Sequence, residues 1–96
     1  MNTKIYLSGG ITKVPNFRHV FKMAEIELKN WGWEVFNPCE FTIKISNPSW
    51  YDYMKHDIQY LCKCDSIYML KGWWKSKGAR IEWLLAKVLK IHILYQ

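Results

Sequence analysis

Four short apolar runs are spaced along the chain, and residues that break regular structure follow the first three. Runs of this length bounded by Gly, Pro or Asn are typical of strands buried in a sheet. The predicted strands are Lys4–Leu7, Trp33–Phe36, Ser66–Leu70 and Ile91–Leu94. The residues after Asn37-Pro38 up to Asn47-Pro48 lack a clear period, and we expect a loop there. We expect a second loop in the basic, aromatic segment Trp73–Lys77, which follows the break at Lys71-Gly72.

Three longer segments carry apolar residues at helical spacing. Asn16 suits the start of the first, and Gly32 ends it. Ser49 followed by Asp52 resembles a capping box and opens the second. The predicted helices run from Asn16 to about Trp31, from Ser49 to about Cys64 and from about Lys77 to Lys90. Their expected apolar faces are Val20, Phe21, Ala24, Ile26 and Leu28, then Ile58 and Leu61, then Ile81, Leu84, Leu85, Val88 and Leu89.

The order of elements, β-α-β-α-β-α-β, predicts an α/β fold with a parallel sheet and helices on both faces. A small doubly wound, Rossmann- or flavodoxin-like sheet of about four strands in the order 2-1-3-4 satisfies this pattern. That order places the switch point between the first and third strands, so we expect a ligand crevice at their carboxyl ends. Ser8-Gly9-Gly10 and Lys71-Gly72-Trp73-Trp74 would meet there.

Ninety-six residues fit a single domain spanning 1–96, because so short a chain cannot bury two independent cores. The small core leads us to expect a dimer or tetramer. Three Cys cannot all pair within one chain, and no leader precedes the first strand, which favours the cytoplasm. Polar residues interrupt every stretch before the roughly 20 apolar residues that a membrane span requires. We therefore expect a soluble protein without a membrane partner.

The formal net charge of +6 favours anionic partners such as nucleotides, phosphates or nucleic acid. A solubilising excess of Lys would explain the charge equally well. Ser76-Lys77-Gly78 opens the last predicted helix, where unpaired N–H groups and the helix dipole favour an anion. Ser8-Gly9-Gly10 offers bare backbone beside a ligand. Either segment could also be an ordinary turn or helix cap.

Two carboxylates stand out as candidate catalytic groups. Glu82 is flanked by residues expected to pack inward, and Asp57 lies in the middle of the preceding helix. Two carboxylates in one crevice can divide into nucleophile and proton donor if their pKa values separate. The alternative is that each is a surface acid paired with Lys or Arg.

The chain resembles the nucleoside 2-deoxyribosyltransferase-like superfamily at Lys4–Gly10, His56–Asp65 and Ser76–Glu82. At Tyr6–Pro15, Asn37-Pro38 and Gly78–Glu82 it resembles a short, largely uncharacterised, DUF4406-like branch of bacteria and their viruses. The resemblance implies cleavage or transfer at the N-glycosidic bond of a deoxynucleoside or deoxynucleoside 5′-monophosphate. We expect no cofactor and no metal. The enzyme would be a deoxyribosyltransferase or a deoxynucleotide N-glycosidase.

The resemblance also implies roles for individual residues. Glu82 would attack the anomeric carbon, Asp57 would assist the leaving base, and Tyr6 would orient the nucleophile. Ser76 would bind a 5′-phosphate. The expected substrate-binding residues are Ser8, Gly9, Gly10, Gly72, Trp73, Ser76, Gly78 and Arg80.

Arg80 departs from the pattern of the characterised enzymes, and a salt bridge to Glu82 would lower the pKa and the nucleophilicity of that carboxylate. The alternative function is therefore a non-catalytic nucleotide-binding module that senses or sequesters its ligand. A third class, nucleic-acid binding through Lys75 and Lys77, is less expected.

The remaining reactive residues suggest weaker roles. Trp73 and Trp74 could stack on a base, seal a subunit interface or pack in the core. Cys62-Lys63-Cys64 with His56 and Cys39 matches no standard zinc spacing. Asp65 sits at a helix-to-strand junction, and we expect a structural role for it. We likewise expect the three His residues to be structural or on the surface.

Overall fold

A computed structural model describes residues 3–10, 15–40, 43 and 46–96. Every predicted strand and helix is present within these ranges, with ends displaced by a few residues. The elements are β1 (Lys4–Ser8), α1 (Phe17–Asn30), β2 (Glu34–Phe36), α2 (Trp50–Leu61), β3 (Ser66–Met69), α3 (Lys77–Val88) and β4 (His92–Tyr95). Two predicted loops contain short 3-10 helices, Pro38–Glu40 and Trp73–Lys75. Residues 11–14 of the Tyr6–Pro15 motif, and 41–42 and 44–45 of the first loop, lie outside the described residues.

The four strands form one parallel sheet in the order β2-β1-β3-β4, which confirms the predicted topology. Alternate residues of a strand point to opposite faces. Ile5 and Leu7 of β1 therefore pack on the side of α1, whereas Tyr6 points to the side of α2 and α3. Ser8 shares the face of Tyr6. One strand thus supplies core to one face and polar groups to the other.

The first two helices mostly match the expected burial. Phe21, Ala24 and Leu28 bury the inner face of α1, but Ile26 is exposed, contrary to the prediction. The Asn16 side chain occupies the N-cap position without making a capping hydrogen bond. The capping box of α2 is confirmed by reciprocal bonds between Ser49 and Asp52.

The predicted apolar face of α3 is wrong except at Leu85, which is half-buried and packs against the core. Leu84 is 58% exposed and Val88 is 68% exposed, and Ile81 and Leu89 are exposed as well. The buried positions are Ala79, Glu82 and Ala86, one face at helical spacing. Small residues let α3 approach the sheet closely, so the bulky stripe lies on the outside. None of the helices in the described part of the chain is long and apolar enough to cross a membrane.

Candidate active site

Glu82 lies on the inner face of α3, directly against β1, and is only 5% exposed. The Tyr6 hydroxyl donates to Glu82 Oε2 at 2.6 Å, and the Ser8 hydroxyl donates to Glu82 Oε1 at 2.7 Å. The two donors reach the same carboxylate because they are two residues apart on one strand. Both carboxylate oxygens are therefore held in fixed positions.

The surroundings of Glu82 favour its neutral form. The pKa of Glu82 is raised to about 7. Burial is the largest cause, the hydrogen bonds from Tyr6 and Ser8 oppose it, and the charge of Asp57 adds to the rise. Burial also raises the pKa of Tyr6 well above its usual range, and the Glu82 charge adds to that effect. Tyr6 thus stays a hydroxyl donor, while Glu82 exchanges a proton near neutral pH.

Asp57 is the second carboxylate of the site and projects from α2. Its Oδ1 lies 3.2 Å from His56 Nδ1, and the side chains of His56 and Asp57 are 23% and 16% exposed. Burial raises the pKa of Asp57, and the contact with His56 opposes the rise. A carboxyl group with a raised pKa suits proton donation.

These carboxylates share a cavity of about 760 Å³ at the carboxyl edge of the sheet. Gly9 after β1, Pro38 and Cys39 after β2, and the first turn of α3 line it, whereas the expected Lys71–Trp74 segment after β3 is not part of the described lining. Its walls are mainly apolar and aromatic with a few converging polar groups, which is typical of small-molecule sites. The lining residues are Tyr6, Leu7, Gly9, Phe17, Arg18, Phe21, Pro38, Cys39, Ile43, Pro48, Trp50, Tyr53, Met54, His56, Asp57, Ser76, Lys77, Gly78, Ala79 and Glu82.

The first turn of α3 forms one end of this cavity. Ser76 Oγ accepts from the Ala79 N–H at 3.3 Å and caps the helix. Lys77 Nζ lies 4.6 Å from the centroid of the Trp50 ring. A side chain at position 78 would place its Cβ 3.2 Å from Met54 Sδ, so Gly78 permits the close approach of α2. Positive charge and backbone N–H groups therefore meet at this end.

The structure brings six of the expected site residues together on the cavity wall and joins Ser8 to them through Glu82. The six are Tyr6, Gly9, Asp57, Ser76, Gly78 and Glu82. Gly10, Gly72, Trp73 and Arg80 are outside the described lining residues.

Trp73 and Arg80 were expected to bind substrate, but neither is among the described residues that line the cavity. Trp73 stacks on Trp83, with ring centroids 5.3 Å apart, while Trp74 is exposed. Arg80 is exposed and forms no ion pair with Glu82 among the described residues. Asp65 accepts the Lys4 N–H at 3.0 Å, which fits its expected structural role.

Several residues that line the cavity were not predicted from the sequence. Arg18 and Phe17 come from the first turn of α1, and Trp50 and Met54 come from α2. His56 was expected to be structural or on the surface, yet it lines the cavity beside Asp57. For His56, the position next to Asp57 in the sequence was a signal that could have identified it. The other four residues reach the cavity through the packing of the helices on the sheet, which the sequence pattern does not show.

Comparisons with known proteins agree with this fold. A family model described as "Domain of unknown function (DUF4406)" matches residues 3–95. A structure of 2-deoxyribosyltransferase from the psychrotolerant bacterium Bacillus psychrosaccharolyticus aligns with a TM-score of 0.79 at 20% identity, over 97% of this chain and 71% of that chain. A conserved protein from Enterococcus faecalis V583 aligns with a TM-score of 0.74 at 17% identity, over 99% and 63%. A search of curated proteins gives no match. The chain thus has the nucleoside deoxyribosyltransferase fold.

Proposed function

The chain belongs to the DUF4406 family, and from that premise we propose that it cleaves or transfers the N-glycosidic bond of a deoxynucleoside or deoxynucleoside 5′-monophosphate. The observation that carries this proposal is Glu82, a buried carboxylate fixed by Tyr6 and Ser8 in a cavity that also contains Asp57. The fold shared with a 2-deoxyribosyltransferase supports the same chemistry.

The reaction would proceed in two displacements. Ionised Glu82 attacks the anomeric carbon, the bond from that carbon to the base nitrogen breaks, and Asp57 gives its proton to the departing base. Water or a second base then attacks the same carbon, passes a proton to Asp57 and releases Glu82. Tyr6 and Ser8 hold the carboxylate throughout, because each donates to a different oxygen.

A 5′-phosphate would bind at the first turn of α3. The unpaired N–H groups of a helix start and its dipole favour anions, and Lys77 adds a positive charge on the cavity wall. Ser76 lies at the same end, with its hydroxyl at the helix cap. This assignment makes monophosphates better substrates than the corresponding nucleosides.

The test is chromatographic detection of free base after incubation with deoxynucleosides and their monophosphates, with and without an acceptor base. We expect release by the wild type and loss of release in Glu82→Ala. Glu27→Gln is the matched control, because Glu27 is an exposed acid on α1. Nucleotide binding without release from any substrate would contradict the proposed chemistry and indicate a non-catalytic binding module.

We also propose that the protein is a cytoplasmic homo-oligomer that associates through the outer face of α3. Ile81, Leu84 and Val88 form an exposed apolar stripe at helical spacing. The three Cys are free thiols, which suits a reducing compartment. Light scattering should show a dimer or tetramer that Leu84→Glu converts to a monomer. A wild-type monomer at working concentration would contradict the assembly.

A further inference from the structure

The strand order places different elements at the two ends of the cavity. The first turn of α3 follows β3 and forms one end, while Pro38 and Cys39 follow β2 and form the other. Since β1 lies between β2 and β3, Glu82, which contacts β1, stands between the two ends. With the sugar at Glu82 and the phosphate at α3, the base extends toward the β2 end.

Among the described lining residues at that end, Arg18 carries the cationic side chain, and it is exposed to solvent. Its Nη1 donates to the Cys39 carbonyl at 3.1 Å, and its guanidinium carbon lies 5.3 Å from the Phe17 ring centroid. These two contacts orient the side chain. A guanidinium carries five N–H donors and no acceptor, and no carboxylate of the described residues forms an ion pair with Arg18.

The residue whose carbonyl Arg18 contacts, Cys39, is held at its N–H by a buried side chain. Asn37 is 3% exposed, and its Oδ1 accepts the Cys39 N–H at 3.0 Å. The Asn37 amide donates in turn to Glu25 Oε1 at 3.0 Å, and Lys29 donates to Glu25 Oε2 at 2.6 Å. The wall that carries the Arg18 contact is thus fixed by a chain of hydrogen bonds that reaches back to α1.

We propose that Arg18 selects the base, favouring those with a carbonyl oxygen at the ring position where others carry an amino group. This inference rests on the proposed function, which puts a base in the cavity. A guanidinium can only donate, so it pairs with a carbonyl oxygen and leaves an amino group without a partner. The favoured class is therefore the oxo bases, and adenine and cytosine are disfavoured.

Binding to Glu82→Gln, a variant that should hold substrate without cleaving it, tests the inference by calorimetry. Two matched pairs exchange an oxo for an amino group at one ring carbon, and with it an N–H for a bare nitrogen at the adjacent ring position: dIMP with dAMP, and dUMP with dCMP. We expect the oxo member to bind about tenfold or more tightly in each pair. Adding Arg18→Met should reduce that preference to about twofold, and Arg18→Lys should retain part of it.

Lys63→Met is the control, because it removes an exposed positive charge outside the cavity lining. It should leave the preference unchanged, and circular dichroism checks that each variant folds. Equal binding within both pairs, or an Arg18→Met variant that weakens all four nucleotides by one factor, overturns the inference even if the wild type releases base. A preference that Arg18→Met erases supports it even if no base is ever released.

Discussion

At Glu82, burial and hydrogen bonding act on the pKa of one carboxyl group in opposite directions. Burial raises the pKa and the hydroxyls of Tyr6 and Ser8 lower it by stabilising the charged form, and the balance is a pKa raised to about 7. A proposed nucleophile must be ionised to attack, so the balance between these effects sets the pH at which the site can work. Base release should increase with pH through about 7.

The substitution Tyr6→Phe tests this balance. It removes the donor to Glu82 Oε2, so the pKa of Glu82 should rise further. Because a hydrogen bond to a charged group contributes about 1.5–3 kcal/mol, the rising limb of the pH–rate profile should move up by about one pH unit or more. Base release at pH 7 should then fall about fivefold or more, in proportion to the ionised fraction of Glu82.

Tyr68→Phe is the matched control for that profile. Tyr68 is a buried tyrosine of β3, but it packs on the α1 side of the sheet. Its substitution should leave the limb in place. A Tyr6→Phe profile with an unmoved limb would mean that the Tyr6 hydroxyl does not tune Glu82.

At the level of the elements, α3 shows what a sequence pattern leaves open. The spacing of apolar residues predicted a helix correctly but assigned the wrong face to the core. The helix has two apolar surfaces, one bulky and one small, and periodicity alone does not say which contacts the sheet. Close packing against the sheet selects Ala79 and Ala86, which brings Glu82 within reach of β1.

Two substitutions that enlarge an apolar side chain of α3 distinguish its faces. Ala86 is fully buried, so Ala86→Leu should lower the free energy of unfolding by about 1–3 kcal/mol through overpacking. Val88 is 68% exposed in the single chain. With both substitutions made in the Leu84→Glu background, which should not associate through this face, Val88→Leu should change the free energy of unfolding by less than about 0.5 kcal/mol. Urea denaturation measures both, and a larger loss in Val88→Leu would contradict the observed orientation.

The other predictions show the same difference between features that a local pattern determines and contacts that depend on tertiary packing. The element bounds and the Ser49–Asp52 cap follow from local patterns, because breaker residues and capping spacing act within a few residues. The strand order follows from the alternation of strands and helices together with the right-handed crossover rule. The alternation along β1 places Tyr6 and Ser8 on one face. The contacts of Arg18 with Cys39 and of Asn37 with Glu25 join elements from different parts of the chain. Such contacts depend on tertiary packing, which no local pattern encodes.

Across the whole molecule, two buried carboxylates give stability opposite dependences on pH. Burial raises the pKa of Glu25, but the hydrogen bonds from Lys29 and Asn37 outweigh it and leave the pKa below its ordinary value. The stability from Glu25 is therefore present above its unfolded pKa and is lost as the pH falls. For Glu82 the pKa is raised, so its contribution is complete below about 4.5 and is lost as the pH rises to about 7.

The substitution Glu82→Gln should separate the pH dependence of stability that comes from Glu82 from the one that comes from Glu25. Glutamine keeps the shape of the side chain but carries no charge, so it removes the cost of ionising a buried group. Relative to wild type, the free energy of unfolding of the variant should increase by about 3 kcal/mol between pH 4.5 and pH 7. This figure follows from about 1.4 kcal/mol per unit of pKa difference. Above pH 7 the difference between the two proteins should stay constant. The contribution of Glu25 is common to both proteins and cancels.

Urea denaturation of both proteins at pH 4.5, 6 and 8 measures this gain, with the exposed Glu27→Gln as control. The control difference should stay nearly constant with pH. A constant difference for Glu82→Gln as well would mean that the pKa of Glu82 is not raised in the folded protein. If the variant gains stability with rising pH and also loses base release, the same buried charge lowers stability and supports the reaction. Such a trade-off is expected when a nucleophile is held away from water.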